Sequence, residues 1–193
     1  ATGEKVLLDL GGKQGVRMQH YEESLFNFRL VIVRDKKVLG YAGDVLLKVT
    51  GGPFRKLKVQ APSIVAVGER FAVEVVPQDR WGSLAKNAAS VKLVMASEDA
   101  SGPAFQYEVS LLHFVARDVV LMKEGIHRIR VRADGGSVSA VSNPIRVEQH
   151  PLRRVFYGDL HQHTYLADGR GVLEELYLYA RRVGMLDFGA LTP

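Results

Sequence analysis

The sequence predicts a mainly β protein: an immunoglobulin-like β-sandwich region followed by a single βαβ unit. Three observations predict it. Residues 1–149 carry the runs FNFRLVIV, DVLLKV, KLKV, FAVEVV, SVKLVM, YEVSLLHFV and HRIRVRA, rich in β-branched and aromatic residues and mostly parted by Gly, Pro, Asn or Asp. In the last run Ile129, Val131 and Ala133 alternate with Arg128, Arg130 and Arg132, so one face enters a core and a solvated arginine row faces water. After His150-Pro151 the period changes, and Val172, Leu173, Leu176, Ala180 and Val183 recur at helical spacing.

Taken in order, residues 1–56 form a β-rich segment, too small for an independent core and expected to pack on its neighbours. Gly51-Gly52-Pro53 breaks the chain near its end. Residues 57–149 have the length and strand number of an immunoglobulin-like sandwich, without the Cys pair of an antibody domain, and a last strand is expected close to Asn143–Glu148. Residues 150–193 begin something else. RRVFYGDLHQHT reads as a strand and Gly171–Val183 as a helix, with Glu174 and Glu175 early, Arg181 and Arg182 late, and Gly184 as its C-cap. MLDFGALT reads as a second strand, parallel to the first through a right-handed crossover. A single βαβ unit cannot cover a parallel sheet on both faces, so the chain is expected to be the front part of a longer protein.

Composition narrows the function classes. An apolar share of 47% in 193 residues is enough to bury a core. The absence of cysteine removes disulfides, thiolate nucleophiles and Cys-type zinc sites together. The excess of 26 Lys and Arg over 21 Asp and Glu is spread in short pieces rather than clustered among aromatics, which argues against nucleic acid as a partner. No apolar run reaches the roughly 18 residues of a membrane helix, and the opening residues ATGEKVLLDL lack a signal-peptide pattern. Neither feature names a compartment, and nothing in the sequence sets the oligomeric state.

The chemistry concentrates in Gly158–Gly169, GDLHQHTYLADG. His161 and His163, one residue apart at the end of a predicted strand, present their imidazoles to the same side and can reach one metal ion. Asp159 precedes the pair and can orient an imidazole, Asp168 follows it, and Gly169 lets the chain turn back. A His and carboxylate mixture suits zinc, manganese or iron better than magnesium or calcium.

GDLHQHTYLADG, the Tyr-rich helix and LDFGALT together resemble the first βαβ unit of the PHP (polymerase and histidinol phosphatase) superfamily, over residues 155–193. The stretches KVQAPSIVAVGERFAVEVVPQDRWGS and SVSAVSNPIRVEQHP resemble the β-sandwich that precedes the barrel in a little-characterised bacterial branch of that superfamily. The resemblance implies the truncated start of a (β/α)7 barrel. It implies two or three divalent metals, with His161 and His163 as ligands of the first, Asp168 as a ligand of a further one, and Asp159 behind them. It implies a metal-dependent hydrolase, phosphoesterase-like, acting on a small phosphorylated substrate. The family usually continues the second strand as Leu-Thr-Asp-His, whereas Leu191-Thr192 is followed here by Pro193 and the later ligands are missing, so this chain alone is expected to be inactive.

The remaining candidates read as structural. His20, His113, His127 and His150 are scattered singly. Gly11-Gly12-Lys13-Gln14-Gly15 lacks the Walker spacing and reads as a turn, and no Gly-X-Ser-X-Gly elbow occurs. Trp81 in QDRWGS is expected to cap the core at a turn, and Tyr177 and Tyr179 to lend apolar bodies to packing. The alternative to the enzyme is a non-catalytic sandwich that binds a protein or carbohydrate partner.

Overall fold

In a computed structural model the structure describes residues 19, 20, 22–97, 99–133, 135–169 and 171–192. The Gly11–Gly15 turn expectation and Pro193 lie outside them. The described residues are mainly β, arranged in several sheets, and among them no helix is long and apolar enough to cross a membrane. The chain divides into two compact units, Ala1–Val49 and Thr50–Pro193.

The described part of the first unit is one long antiparallel hairpin, β1 (Glu23–Arg34) and β2 (Lys37–Val49). Asp35 and Lys36 turn it with φ of 49° and 62°, the left-handed pair whose twist matches that of the flanking strands. Opposite one another in the register, Arg29 and Asp44 are joined by an ion pair of 2.9 Å.

The second unit contains β3 (Lys56–Gln60), β4 (Ile64–Ala66), β5 (Phe71–Gln78), β6 (Leu93–Met95), β7 (Ala100–Ser101), β8 (Gln106–Glu108), β9 (His113–Leu121), β10 (Gly125–His127), β11 (Arg130–Ala133), β12 (Ser139–Val141) and β13 (Ile145–Glu148). The main sheet is antiparallel in the order β3-β5-β9-β7, with β8 also on β9. Two smaller sheets, β10-β13-β4 and β12-β11-β6, supply the rest. Val59, Val73, Phe114 and Leu121 from the main sheet meet Val65, Val131 and Ile145 from the smaller ones, with Ile129 just ahead of β11, in a single core. Ile129, Val131 and Ala133 are buried while Arg128, Arg130 and Arg132 are exposed, as the alternation requires.

Two loops brace the start of this unit. A Cβ on Gly51 would lie 1.8 Å from the Leu84 carbonyl oxygen, so only glycine fits there. Asp79, buried, accepts backbone N–H bonds from Trp81, Gly82 and Ser83 on Oδ1 and from Gly52 on Oδ2. Burial raises its pKa, but these four bonds outweigh that and hold the carboxyl below its ordinary value. Trp81 lies at this turn with the Arg80 guanidinium 4.3 Å from its ring centre.

One predicted strand is two. YEVSLLHFV breaks into β8 and β9 around a tight turn, with Glu108 opposite His113 and Leu112 at a φ of 56°. The turn carries no Gly, Pro, Asn or Asp, and Ser110 is a weak signal between two apolar runs.

The chain then enters β14 (Gly158–Gln162), α1 (Leu173–Tyr179), a π-helical turn (Ala180–Gly184) and β15 (Phe188–Leu191), with β15 parallel to β14. The first strand is shorter than RRVFYGDLHQHT suggests, because residues 151–157 pair with no strand. The C-cap also differs from expectation. The π-turn widens the last turn of helix by one residue, so the left-handed position falls on Met185 (φ 53°) rather than Gly184, and the Leu186 N–H donates to the Ala180 carbonyl at 3.0 Å.

The main sheet is covered on both faces. Val75 and Phe114 face the core, and the strand alternation therefore turns Val76 and Val115 to the opposite face. There they are still buried, at 0% and 3% exposure. The π-turn is anchored on this second face, with Ala180, Val183 and Met185 buried.

Candidate metal centre

β14 delivers His161 and His163 at its C-terminal end. The register with β15 slips between Asp159, opposite Gly189, and Gln162, opposite Leu191, so the strand bulges just where the first histidine sits. Asp159 braces this bulge: its Oδ1 accepts the backbone N–H of His161 at 3.0 Å, and it therefore holds the main chain rather than the imidazole.

The two imidazoles converge. Nε2 of His161 and Nε2 of His163 lie 2.9 Å apart, with ring centres 4.6 Å apart and planes at 72°. Two nitrogens bound to one tetrahedral zinc at about 2.0–2.1 Å would stand roughly 3.3 Å apart, so the pair needs to open by only a few tenths of an ångström to grip one ion. On the far side of the His163 ring, Nδ1 lies 2.7 Å from Asp168 Oδ1, close enough for an ion pair though not aligned as a hydrogen bond. A carboxylate in that place favours the tautomer with the proton on Nδ1, which turns the Nε2 lone pair towards His161. As placed, Asp168 orients His163; it does not meet the point where the two Nε2 atoms converge.

The loop after the strand fixes the second histidine. Buried Thr164 accepts the N–H groups of Ala167 and Gly169 on its carbonyl, at 3.0 and 3.1 Å, which curls residues 164–169 back over His163. Gly169 comes so close that an added Cβ would lie 2.7 Å from the His163 carbonyl carbon. Just past β15, the Thr192 N–H donates to the Gln162 carbonyl at 2.9 Å, and its hydroxyl lies 3.4 Å from His163 Nε2. Sequence reading met Thr164 and Thr192 only as parts of family-like runs and gave neither a role, because a threonine beside a strand end has no chemistry that its spacing reveals.

Among the described residues no group of three or more His, Asp or Glu side chains is gathered closely enough to hold a metal ion. The donor set present is therefore two imidazole nitrogens, with a carboxylate behind one of them. That set fits part of the coordination sphere of zinc, manganese or iron.

Within the second unit the other histidines stand apart from this pair. His113 is fully buried, with Nε2 3.0 Å from Glu74 Oε2 and Nδ1 3.4 Å from the Arg182 carbonyl. His127 contacts the Lys123 carbonyl at 2.8 Å, and His150 is exposed. A cleft of about 400 Å³ opens between the sandwich and the βαβ unit, lined in part by Arg154, Tyr157, Arg181 and Asp187. Tyr157 and Asp187 precede β14 and β15, so the cleft lies at the end of the strands away from the histidines. Both of its arginines are already paired, Arg154 with Glu69 at 2.6 Å and Arg181 with Glu74 at 3.2 Å.

No protein-family model matches the chain, and no curated protein matches it. Among solved structures, domains 4 and 5 of the S-layer protein SbsC are similar over 55% of this chain and 59% of that one, at 18% identity and a TM-score of 0.34. The chain thus spans less than two thirds of that structure, and a likeness of this size carries no argument about function.

Proposed function

We propose that this chain is the N-terminal portion of a metal-dependent hydrolase of the polymerase and histidinol phosphatase type, a phosphoesterase for a small phosphorylated molecule. The convergence of His161 Nε2 and His163 Nε2 at the C-terminal end of a parallel strand carries the reading. Side chains on neighbouring strand ends are held rigidly and share one opening, which is why chemistry collects there in alternating strand and helix folds.

His161 and His163 would hold a zinc, manganese or iron ion, which when bound acidifies a water molecule and neutralises the anionic group under attack. Asp168 keeps the His163 ring in the tautomer that can ligate, and Asp159 keeps the His161 backbone in the bulge that aims its ring. Further ligands would come from later strands of the same barrel, so the residues present assemble a site without completing it.

Metal content and hydrolysis of an aryl phosphate test this, measured in the protein extended through the proposed barrel. His161→Ala and His163→Ala should each remove most of the zinc or manganese and nearly all turnover, while His150→Ala, at an exposed position, should leave turnover in place. Full metal and full rate in His161→Ala would refute the assignment. The 193-residue chain by itself should turn over little of the same substrate, and turnover equal to that of the extended protein would count against the proposal.

A further inference from the structure

The second face of the main sheet reaches the helix end with side chains from three adjacent strands. From β3, Lys58 Nζ donates to the Gly184 carbonyl at 2.5 Å and to the Val183 carbonyl at 3.3 Å, and Gln60 Nε2 donates to the Met185 carbonyl at 2.7 Å. From β5, Glu74 accepts from Arg181 at 3.2 Å. From β9, His113 lies against the Arg182 carbonyl, and the turn between β8 and β9 offers the Ser110 carbonyl to Arg182 Nε at 3.1 Å.

These partners answer a definite need. The last carbonyls of a helix have no partner within it and carry the negative end of its dipole, so a cation with several N–H donors is the group that best satisfies them. Lys58 fills that role from another part of the chain. Burial draws its ammonium below the ordinary lysine range, a cost that the two carbonyl bonds offset. β15 begins only three residues after Met185, and Thr192 at its far end touches both Gln162 and the ring of His163. The path from Lys58 to His163 therefore runs the length of β15.

We propose that Lys58 and Gln60 are positioning residues for the histidine pair: the sandwich caps the helix end, the cap sets where β15 lies against β14, and β15 holds His163 in register with His161. The sandwich is thus part of the scaffold of the metal centre. The claim about the histidines as ligands rests on the proposed function; the claim about their placement does not.

The experiment uses the full chain with Lys58→Met, which keeps the aliphatic stem, Lys58→Arg, which restores a donor, and Gln60→Leu as a second route to the same loss. Hydrogen exchange is followed over 180–192 and over β11 and β13, the His163 ring is followed by NMR, and cobalt(II) alone is titrated as the metal probe. Lys58→Met should speed exchange over 180–192 by about tenfold with β11 and β13 unchanged, shift the His163 ring signals and weaken cobalt(II) binding by about tenfold. Lys58→Arg should recover most of each. Unchanged exchange and unchanged His163 signals in both Lys58→Met and Gln60→Leu overturn the positioning role, as does cobalt(II) affinity that stays put while exchange rises. Should Lys58→Met fail to fold, Gln60→Leu decides by the same readings. If the wild-type chain takes up no cobalt(II), exchange and ring signals alone decide the positioning, and the metal reading is decided in the extended protein.

Discussion

Gly169 and His163 are packed so closely that a Cβ on the glycine would fall 2.7 Å from the carbonyl carbon of the histidine and 2.8 Å from its Cβ. The loop after β14 closes on the second histidine, and the glycine is there for the approach. Gly169→Ala must therefore push the loop or the histidine aside, since backbone atoms cannot yield as the tip of a long side chain can. The expected result is a displaced His163 ring and a loss of cobalt(II) affinity of about tenfold, with the sandwich intact. NMR of the histidine rings beside a cobalt(II) titration checks it, and wild-type signals and affinity would contradict the close approach.

Val76 should behave as a core residue although it lies on the face of β5 opposite the sandwich core. Val76→Asn buries an amide in the packing on this second face and should cost about 2–3 kcal/mol in urea unfolding. An exposed sheet face would tolerate the change within roughly 0.5 kcal/mol, and that outcome would show that this face is not buried.

Gly51→Ala tests the packing at the start of the second unit, where the added methyl would lie 1.8 Å from the Leu84 carbonyl oxygen. A destabilisation of about 2–3 kcal/mol is expected from the forced backbone shift, read as a lowered urea midpoint with an unchanged slope. A midpoint equal to wild type would mean that the segment can move away freely.

Asp79 should make stability depend on acid. Its folded pKa is depressed, so its contribution is fully present above the ordinary aspartate pKa of 3.8 and is lost as pH falls through the lower folded value. Asp79→Asn cannot accept the Gly52 N–H with its amide nitrogen, and should lose about 2 kcal/mol near neutral pH. It should also lose less further stability than wild type below pH 3.8. Parallel curves for the two proteins across that range would rule out the four-bond role of this carboxylate.

The sequence carried the local chemistry of this protein. Alternating apolar residues in HRIRVRA bury one face and expose the arginines, because side chains on a strand point to opposite sides whatever lies beyond them. The change to helical spacing after residue 171 marked α1, and the short separation of His161 and His163 brought their rings together. Such features depend on neighbours a few residues apart.

Tertiary structure decided the rest, because it depends on groups far apart in the chain that no local pattern connects. The YEVSLLHFV run was split by pairing of β8 with β9, and Leu112 took a conformation that its residue type does not advertise. The helix end passed from Gly184 to Met185 through a π-turn, and Lys58 and Gln60, some 125 residues earlier, bond the carbonyls of Gly184 and Met185. Val75 and Val76 side by side were the one visible hint that β5 is buried on both faces, since an alternating strand needs only one apolar face. Asp168 met Nδ1 of His163 because the curl of the loop around Thr164 set its position; the spacing of five residues allowed that contact and others equally. Residue type fixes which bonds a side chain can make, and only the packed chain fixes which partner is within reach.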